Sequence, residues 1–278
     1  MPDDAATQAI APYRALPAPH AEFLARAVSC LRADPRFVGV AVGGSYLEGA
    51  LDEFSDLDLI VAVEPAVYEN VMASRREIAA GLGPLLAAFT GEHVGEPRLL
   101  ICLYGPPLVH VDLKFVTPHG LASRVEDPIV LWDRDARFRD ALRSGIARYP
   151  APAPQWLEDR FWIWVHYIAT KIGRGELFSA LDSLAFLRAR VLGPLALEET
   201  SAQPSGVRRI ERAAPARASE LEATVARYDA GDCLRALGAA IALYRSLRER
   251  RTMPELRYRS DAEAAATGYL ADIEARVR

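Results

Sequence analysis

The sequence predicts an α+β protein, in which a small mixed or antiparallel sheet with flanking helices is followed by an all-helical C-terminal bundle. Short apolar runs predict the sheet, and the run at residues 108–116 has the strict alternation of a half-buried strand. Prolines between residues 150 and 154 indicate a linker, and beyond them apolar residues recur at helical spacing. The predicted segments are a poorly ordered N-terminus (residues 1–19), a sheet-containing domain (20–149) and a helical domain (155–278).

The first four elements follow from apolar periodicity and its breaks. Apolar residues at helical spacing predict a helix from Ala21 to Leu31. The run from Val38 to Val42 ends in glycines, which predicts a buried strand that feeds a tight turn. Residues 46–51 are predicted to start a short helix, and residues 57–63 to form a second strand.

The remaining elements predicted for the first domain are two helices and three strands. The apolar pattern from Val67 to Phe89 predicts a helix with a break at its glycines and proline. The runs Leu99–Tyr104 and Leu108–Val116 flank a Gly-Pro-Pro turn, so we expect an antiparallel hairpin. Residues 129–132 predict a short edge strand, followed by a helix through Ala147.

The second domain is predicted to be helical throughout. Its first helix carries Trp164, Tyr167, Lys171 and Arg174 on one stripe, at positions i, i+3, i+7 and i+10. For Lys171 such a stripe is equally consistent with a solvated cation and with a surface that binds a ligand, whereas core packing is favoured for Trp164. The helices are predicted near residues 155–173, 176–192, 217–229, 231–251 and 261–277.

Composition narrows the classes of function. The formal net charge of −4 gives no general attraction to nucleic acid. No apolar run approaches the length of a membrane span, and the N-terminus lacks the pattern of a signal peptide. Cys30, Cys102 and Cys233 are far apart and match no zinc spacing, so we expect reduced cysteines in a cytoplasmic protein without a membrane partner.

One motif carries the chemistry. Gly43, Gly44 and Ser45 end the first strand, where glycine amides and a hydroxyl can approach a phosphate closely. Asp56 and Asp58 open the next strand on the same face, because strand side chains alternate. Two adjacent carboxylates repel each other unless a cation lies between them. Ligands that offer only oxygen favour Mg²⁺ or Mn²⁺ over zinc.

This pattern of Gly-Gly-Ser followed by Asp-x-Asp resembles the nucleotidyltransferase superfamily of DNA polymerase beta. Within that superfamily it is most similar to small bacterial adenylyltransferases that modify antibiotics such as aminoglycosides and lincosamides. The resemblance covers residues 36–116 well and the rest in outline. It implies a magnesium-dependent enzyme that moves AMP from ATP onto a hydroxyl of a small molecule, and antibiotic resistance as a possible role.

The resemblance also implies roles for particular residues. Asp56 and Asp58 would hold the ions on the triphosphate, and Gly43, Gly44 and Ser45 its phosphates. Asp112, on the polar face of a later strand, would bind the second ion or deprotonate the acceptor hydroxyl. Glu92, on a glycine-rich loop, competes for the role of base. Lys171 and Arg174 of the helical domain would reach the triphosphate across a cleft.

Two alternatives remain open at this point. Some minimal nucleotidyltransferases pair with helical ribonucleases that carry an Arg-x(4–6)-His motif, and Arg160 and His166 fit that spacing. Ribonuclease activity in the helical half would favour this toxin–antitoxin alternative. A nucleotide-binding regulator without turnover is the second alternative, and the three aspartates argue against it.

Overall fold

The computed structural model describes residues 16–151, 153–250 and 255–277. The chain divides into two compact units, one that ends at Arg148 and one that begins at Tyr149. Most of the N-terminal segment predicted to be poorly ordered lies outside the described residues, and Ala18 and Pro19 already belong to the first helix. No helix in the described residues is long and apolar enough to cross a membrane.

The first unit is built on a six-stranded mixed sheet with the strand order β3-β4-β5-β2-β1-β6. β2 and β5 are parallel, and the other neighbouring strands are antiparallel. The α+β class, the β4–β5 hairpin and the edge position of β6 are therefore confirmed. The strands are β1 Phe37–Val42, β2 Leu57–Val63, β3 Leu85–Gly91, β4 Glu96–Tyr104, β5 Val109–Val116 and β6 Ile129–Asp133.

Helices cover β1 on both faces, which explains its unbroken apolar sequence. Val40 belongs to the same buried cluster as Phe23 of the first helix, whereas Val38 and Ala41 belong to a second cluster with Phe138 of the last helix of this unit. A strand buried on both faces reads as a continuous apolar run rather than as an alternation. The helices of this unit are α1 Ala18–Ala33, α2 Tyr68–Ala73, α3 Arg75–Gly81 and α4 Arg137–Arg143.

The prediction of one helix from Val67 to Phe89 is wrong in its last third. The helix α2 ends at Ala73 and α3 at Gly81, and Leu85 begins β3. Leucine and alanine favour a helix by themselves, but pairing with β4 overrides that preference. Over so short an apolar run, periodicity does not separate a strand from a helix.

The described residues of the second unit form helices and no strands, as predicted, around a core in which Phe161 stacks on Tyr244 with ring centroids 3.7 Å apart. The predicted helix at 176–192 continues through a π-helical turn, 188–192, into a further helix. The predicted helix at 217–229 starts earlier and is shorter, because Pro215 sets its first turn. The helices are α5 Pro154–Gly173, α6 Leu177–Leu187, α7 Gly193–Glu198, α8 Ile210–Ala213, α9 Pro215–Glu222, α10 Ala230–Glu249 and α11 Ser260–Val277.

Candidate active site

Two neighbouring strands bring three aspartates together. The parallel register of β2 and β5 places Asp58 directly beside Asp112. Asp56 lies two residues before Asp58, so its side chain emerges on the same face of the sheet. One carboxylate oxygen of each aspartate lies within 4.8 Å of the corresponding oxygens of the other two. The sheet topology therefore assembles the three side chains that the sequence predicts to converge.

The surroundings of Asp112 disfavour its charged form. Burial raises the pKa of this carboxyl, the nearby His110 lowers it, and the negative charge of Asp56 raises it again, with a net rise above the ordinary value. Its Oδ1 atom is buried and lies 3.2 Å from His110 Nε2, but it makes no well-aligned hydrogen bond with a described residue. A buried oxygen with only this poorly aligned contact, in a set of oxygen donors only, fits a hard divalent cation such as Mg²⁺.

The turn after β1 lies against the aspartates. The Gly43 amide donates a hydrogen bond of 2.9 Å to the carbonyl of Asp58, which fixes the turn to β2. Gly44 has a φ of +61°, in the left-handed region that glycine tolerates best. A Cβ atom at Gly44 would lie only 1.8 Å from Asp58 Oδ2. Glycine is therefore required at this position both for the backbone conformation and for the approach of the carboxylate.

Ser45 follows in a single turn of 3-10 helix, Gly44–Tyr46, which replaces the short helix predicted for residues 46–51. Its side chain is only 2% exposed, and its hydroxyl has no hydrogen-bond partner among the described residues. A buried hydroxyl without a partner costs stability unless a ligand completes it. Together with the Gly44 amide, it forms a donor site beside the three carboxylates.

Glu126 is a site residue that the sequence analysis missed. Its Oε1 atom accepts a 2.7 Å hydrogen bond from the Gly44 amide, 82 positions away in the sequence. The antiparallel register of β1 and β6 pairs Val42 with Ile129, which brings the segment before β6 beside the turn after β1. The sequence around Glu126 carries no local signal, and only the pairing of β6 with β1 could have revealed it.

The structure does not bring Glu92 together with the aspartates. It lies in the connection between β3 and β4, and the Thr90 hydroxyl donates to its carboxylate, which lowers the Glu92 pKa. In the β4–β5 register, Asp112 pairs with Ile101, five residues along β4 from its start at Glu96. Five strand residues span roughly 17 Å, so Glu92, which precedes the start of β4, lies far along the sheet from Asp112.

Lys171 and Arg174 lie in the second unit, at the end of α5. Lys171 Nζ lies 2.5 Å from Glu176 Oε2 and over the Tyr167 ring, and Arg174 Nη1 lies 3.8 Å from Glu176 Oε1. The hydrogen bond with Glu176 raises the Lys171 pKa, so the side chain is a firmly protonated cation with a carboxylate partner. Trp164, from the same predicted stripe, packs against aromatic neighbours of its own unit.

The residues of the ribonuclease alternative point away from each other. Arg160 lies over the Trp156 ring, 4.3 Å from its centroid. His166 lies against Tyr269, with the ring centroids 4.6 Å apart. Six residues on an α-helix rotate by about 240°, so the two side chains occupy different faces of α5. The structure therefore gives them no common site.

Comparisons with known proteins bear on the first unit. Residues 26–95 match the family model described as a nucleotidyltransferase domain. These residues include β1, the Gly-Gly-Ser turn and the Asp56–Asp58 pair. No curated protein sequence matches the chain.

Two solved structures are similar to this chain. The crystal structure of an aminoglycoside 6-adenyltransferase from Bacillus subtilis is 17% identical, with 88% of this chain and 97% of that chain covered and a TM-score of 0.40. A nucleotidyltransferase-like protein from Exiguobacterium sibiricum is 16% identical, with 90% and 88% covered and a TM-score of 0.37. The match of residues 26–95 is what assigns the function class: this chain carries a nucleotidyltransferase domain and is an enzyme of the nucleotidyltransferase type.

Proposed function

We propose that this enzyme moves AMP from ATP onto a hydroxyl group of a small acceptor, with Mg²⁺ or Mn²⁺ as its cofactor. The observation that supports the proposal best is the convergence of three aspartate oxygens within 4.8 Å beside a turn whose buried Ser45 hydroxyl has no hydrogen-bond partner among the described residues. A cationic acceptor would suit so acidic a site, since opposite charges steer association. We therefore take an aminoglycoside-type antibiotic as the first candidate acceptor.

Asp56, Asp58 and Asp112 would hold the divalent cations. When bound there, such ions neutralise the triphosphate and stabilise both the attacking and the leaving oxygen. The Gly44 amide and the Ser45 hydroxyl would donate to the β- and γ-phosphates, in line with their position beside Asp58. We propose Asp112 rather than Glu92 as the base, because Asp112 lies in the aspartate cluster whereas Glu92 does not.

In the proposed reaction the acceptor oxygen attacks the α-phosphorus of ATP. A new P–O bond forms, the bond between the α-phosphorus and the bridging oxygen breaks, and pyrophosphate leaves with that oxygen. The proton of the acceptor hydroxyl passes to the Asp112 carboxylate. The products are the adenylylated acceptor and pyrophosphate, so no further reactant is needed.

The test uses ATP labelled at the α-phosphate, Mg²⁺ and a panel of aminoglycosides and other hydroxyl compounds. We expect label to pass to at least one acceptor with wild type and not with Asp58→Asn, which removes one charge from the metal ligands at nearly constant shape. Mg²⁺–ATP should also raise the melting temperature of wild type much more than that of the variant. If ATP binds equally well in EDTA and in Mg²⁺, the proposed role of the aspartates is wrong.

A further inference from the structure

We infer that Glu126 is an internal competitor of the triphosphate for the Gly44 amide, so that nucleotide binding requires the Glu126 carboxylate to leave. The inference rests on the proposed function, since it takes the Gly44 amide as a phosphate-binding group. It adds a regulatory contact that the resemblance to known nucleotidyltransferases does not supply.

The contact between Glu126 and the turn is short and involves both glycines. The nitrogen of Gly44 lies 2.7 Å from Glu126 Oε1, within the range of hydrogen bonds to a charged acceptor. A Cβ atom built on Gly43 would lie 2.6 Å from the same oxygen and 3.9 Å from Asp58 Cβ. The carboxylate therefore lies over both glycines, on the side of the turn that faces Asp58.

The backbone that carries Glu126 is anchored on both sides. Before it, Arg124 donates to the carbonyls of Leu121 and Gly145, at 3.2 and 3.0 Å. After it, Pro128 is buried and Ile129 pairs with β1. Because the backbone is held, release of the Gly44 amide requires only rotation of the half-buried Glu126 side chain.

The Glu126 carboxylate and a triphosphate oxygen cannot both bind the Gly44 amide, because both are negatively charged. The single N–H group of Gly44 can donate a full hydrogen bond to only one oxygen at a time. A triphosphate oxygen beside the Glu126 carboxylate would also be repelled by its negative charge, in addition to the repulsion from the three aspartates. The apparent affinity for ATP is then reduced by the fraction of molecules in which the amide is engaged. The affinity for ligands that do not bind this amide, such as adenosine, should not depend on Glu126.

The experiment compares wild type with Glu126→Ala, Glu126→Gln and the control Glu53→Gln. Glu53 is exposed and lies three residues before Asp56, so its substitution removes the same charge without touching the turn. Calorimetry gives the affinities for Mg²⁺–ATP and for adenosine, and ¹H–¹⁵N spectra of each protein without nucleotide report the Gly44 amide. The spectra test the contact independently of nucleotide binding.

We expect Glu126→Ala to bind Mg²⁺–ATP about tenfold more tightly than wild type, with Glu126→Gln in between and adenosine affinity unchanged. The Gly44 amide signal should shift in both Glu126 variants and not in Glu53→Gln. An unshifted signal, or ATP affinity that is unchanged or weaker in Glu126→Ala, would overturn the inference. An equal gain in Mg²⁺–ATP affinity in Glu53→Gln would also overturn it, because the gain would then come from the loss of any nearby negative charge and not from release of the Gly44 amide. If no protein binds Mg²⁺–ATP while the Gly44 signal still shifts, the proposed function has failed and the inference falls with it.

Discussion

Replacement of Gly44 by alanine tests whether the turn and Asp58 act as one unit. The left-handed backbone conformation at φ +61° costs an L-residue about 1–2 kcal/mol of folding free energy. The new methyl group would also lie 1.8 Å from Asp58 Oδ2, whereas ordinary contact begins at 3.4 Å. Either the turn or the carboxylate must therefore move by more than about 1 Å, a displacement that can lower a reaction rate about a hundredfold.

Gly49→Ala is the matched control. Gly49 has a φ of +63°, and a Cβ atom there would meet nothing within 4 Å. The two variants therefore share the backbone strain, and only Gly44→Ala has the clash with Asp58. Thermal melts should show a loss of about 1–2 kcal/mol for Gly49→Ala, with transfer activity intact. Gly44→Ala should lose more stability and about a hundredfold or more in AMP transfer, measured with labelled ATP and the acceptor from the panel.

Two results would refute this reasoning. If Gly44→Ala transfers AMP at the wild-type rate, the contact with Asp58 does not position the carboxylate for the reaction. If Gly49→Ala loses as much activity as Gly44→Ala, the loss comes from backbone strain in the segment and not from the clash. In either case the turn would have to be removed from the proposed phosphate site.

Two further predictions concern charged pairs outside the aspartate cluster. The predicted contact of Lys171 with the triphosphate requires its pair with Glu176 to open, so Lys171→Ala should weaken ATP binding by about 1–3 kcal/mol and Glu176→Gln should strengthen it, as calorimetry can measure. Burial raises the pKa of Glu96, but hydrogen bonds from Arg98 and Lys114 outweigh it and hold the pKa at about 2. Glu96→Gln should therefore lower the free energy of unfolding by about 2 kcal/mol at pH 7, and chemical denaturation should show this difference fading as the pH falls from 4.5 towards 2.

Each of these predictions has a result that would contradict it. A Lys171→Ala protein that binds ATP like wild type would mean that the Glu176 pair only stabilises the end of α5. AMP binding is the internal control, because it should change little in either variant. The control for Glu96 is Glu77→Gln on α3, which removes the same charge from an exposed position. A pH-independent loss in Glu96→Gln would show that packing, not charge, accounts for the effect.

The fold class was predictable because the sequence pattern of most elements fits only one kind of secondary structure. Alternation along β5 and the glycine break after β1 each have one physical explanation, a half-buried strand and a tight turn. The sequence of β3 has two physical explanations, because the run from Leu85 to Phe89 suits a helix as well as an edge strand. Its pairing with β4 decides the matter, and pairing is a long-range property that local periodicity does not carry.

The same distinction separates the two kinds of site residue. Asp56, Asp58 and Asp112 could be found because carboxylates inside apolar strands or directly before one are unusual, and such a departure from the pattern points to a ligand. Glu126 contradicts nothing, since an acidic residue in a loop is ordinary in any protein. It acquires its role only because β6 returns beside β1 and places it on the Gly44 amide. The acidic groups proposed to bind metal can thus be identified from the sequence, whereas the group proposed to compete with the phosphate depends on strand pairing.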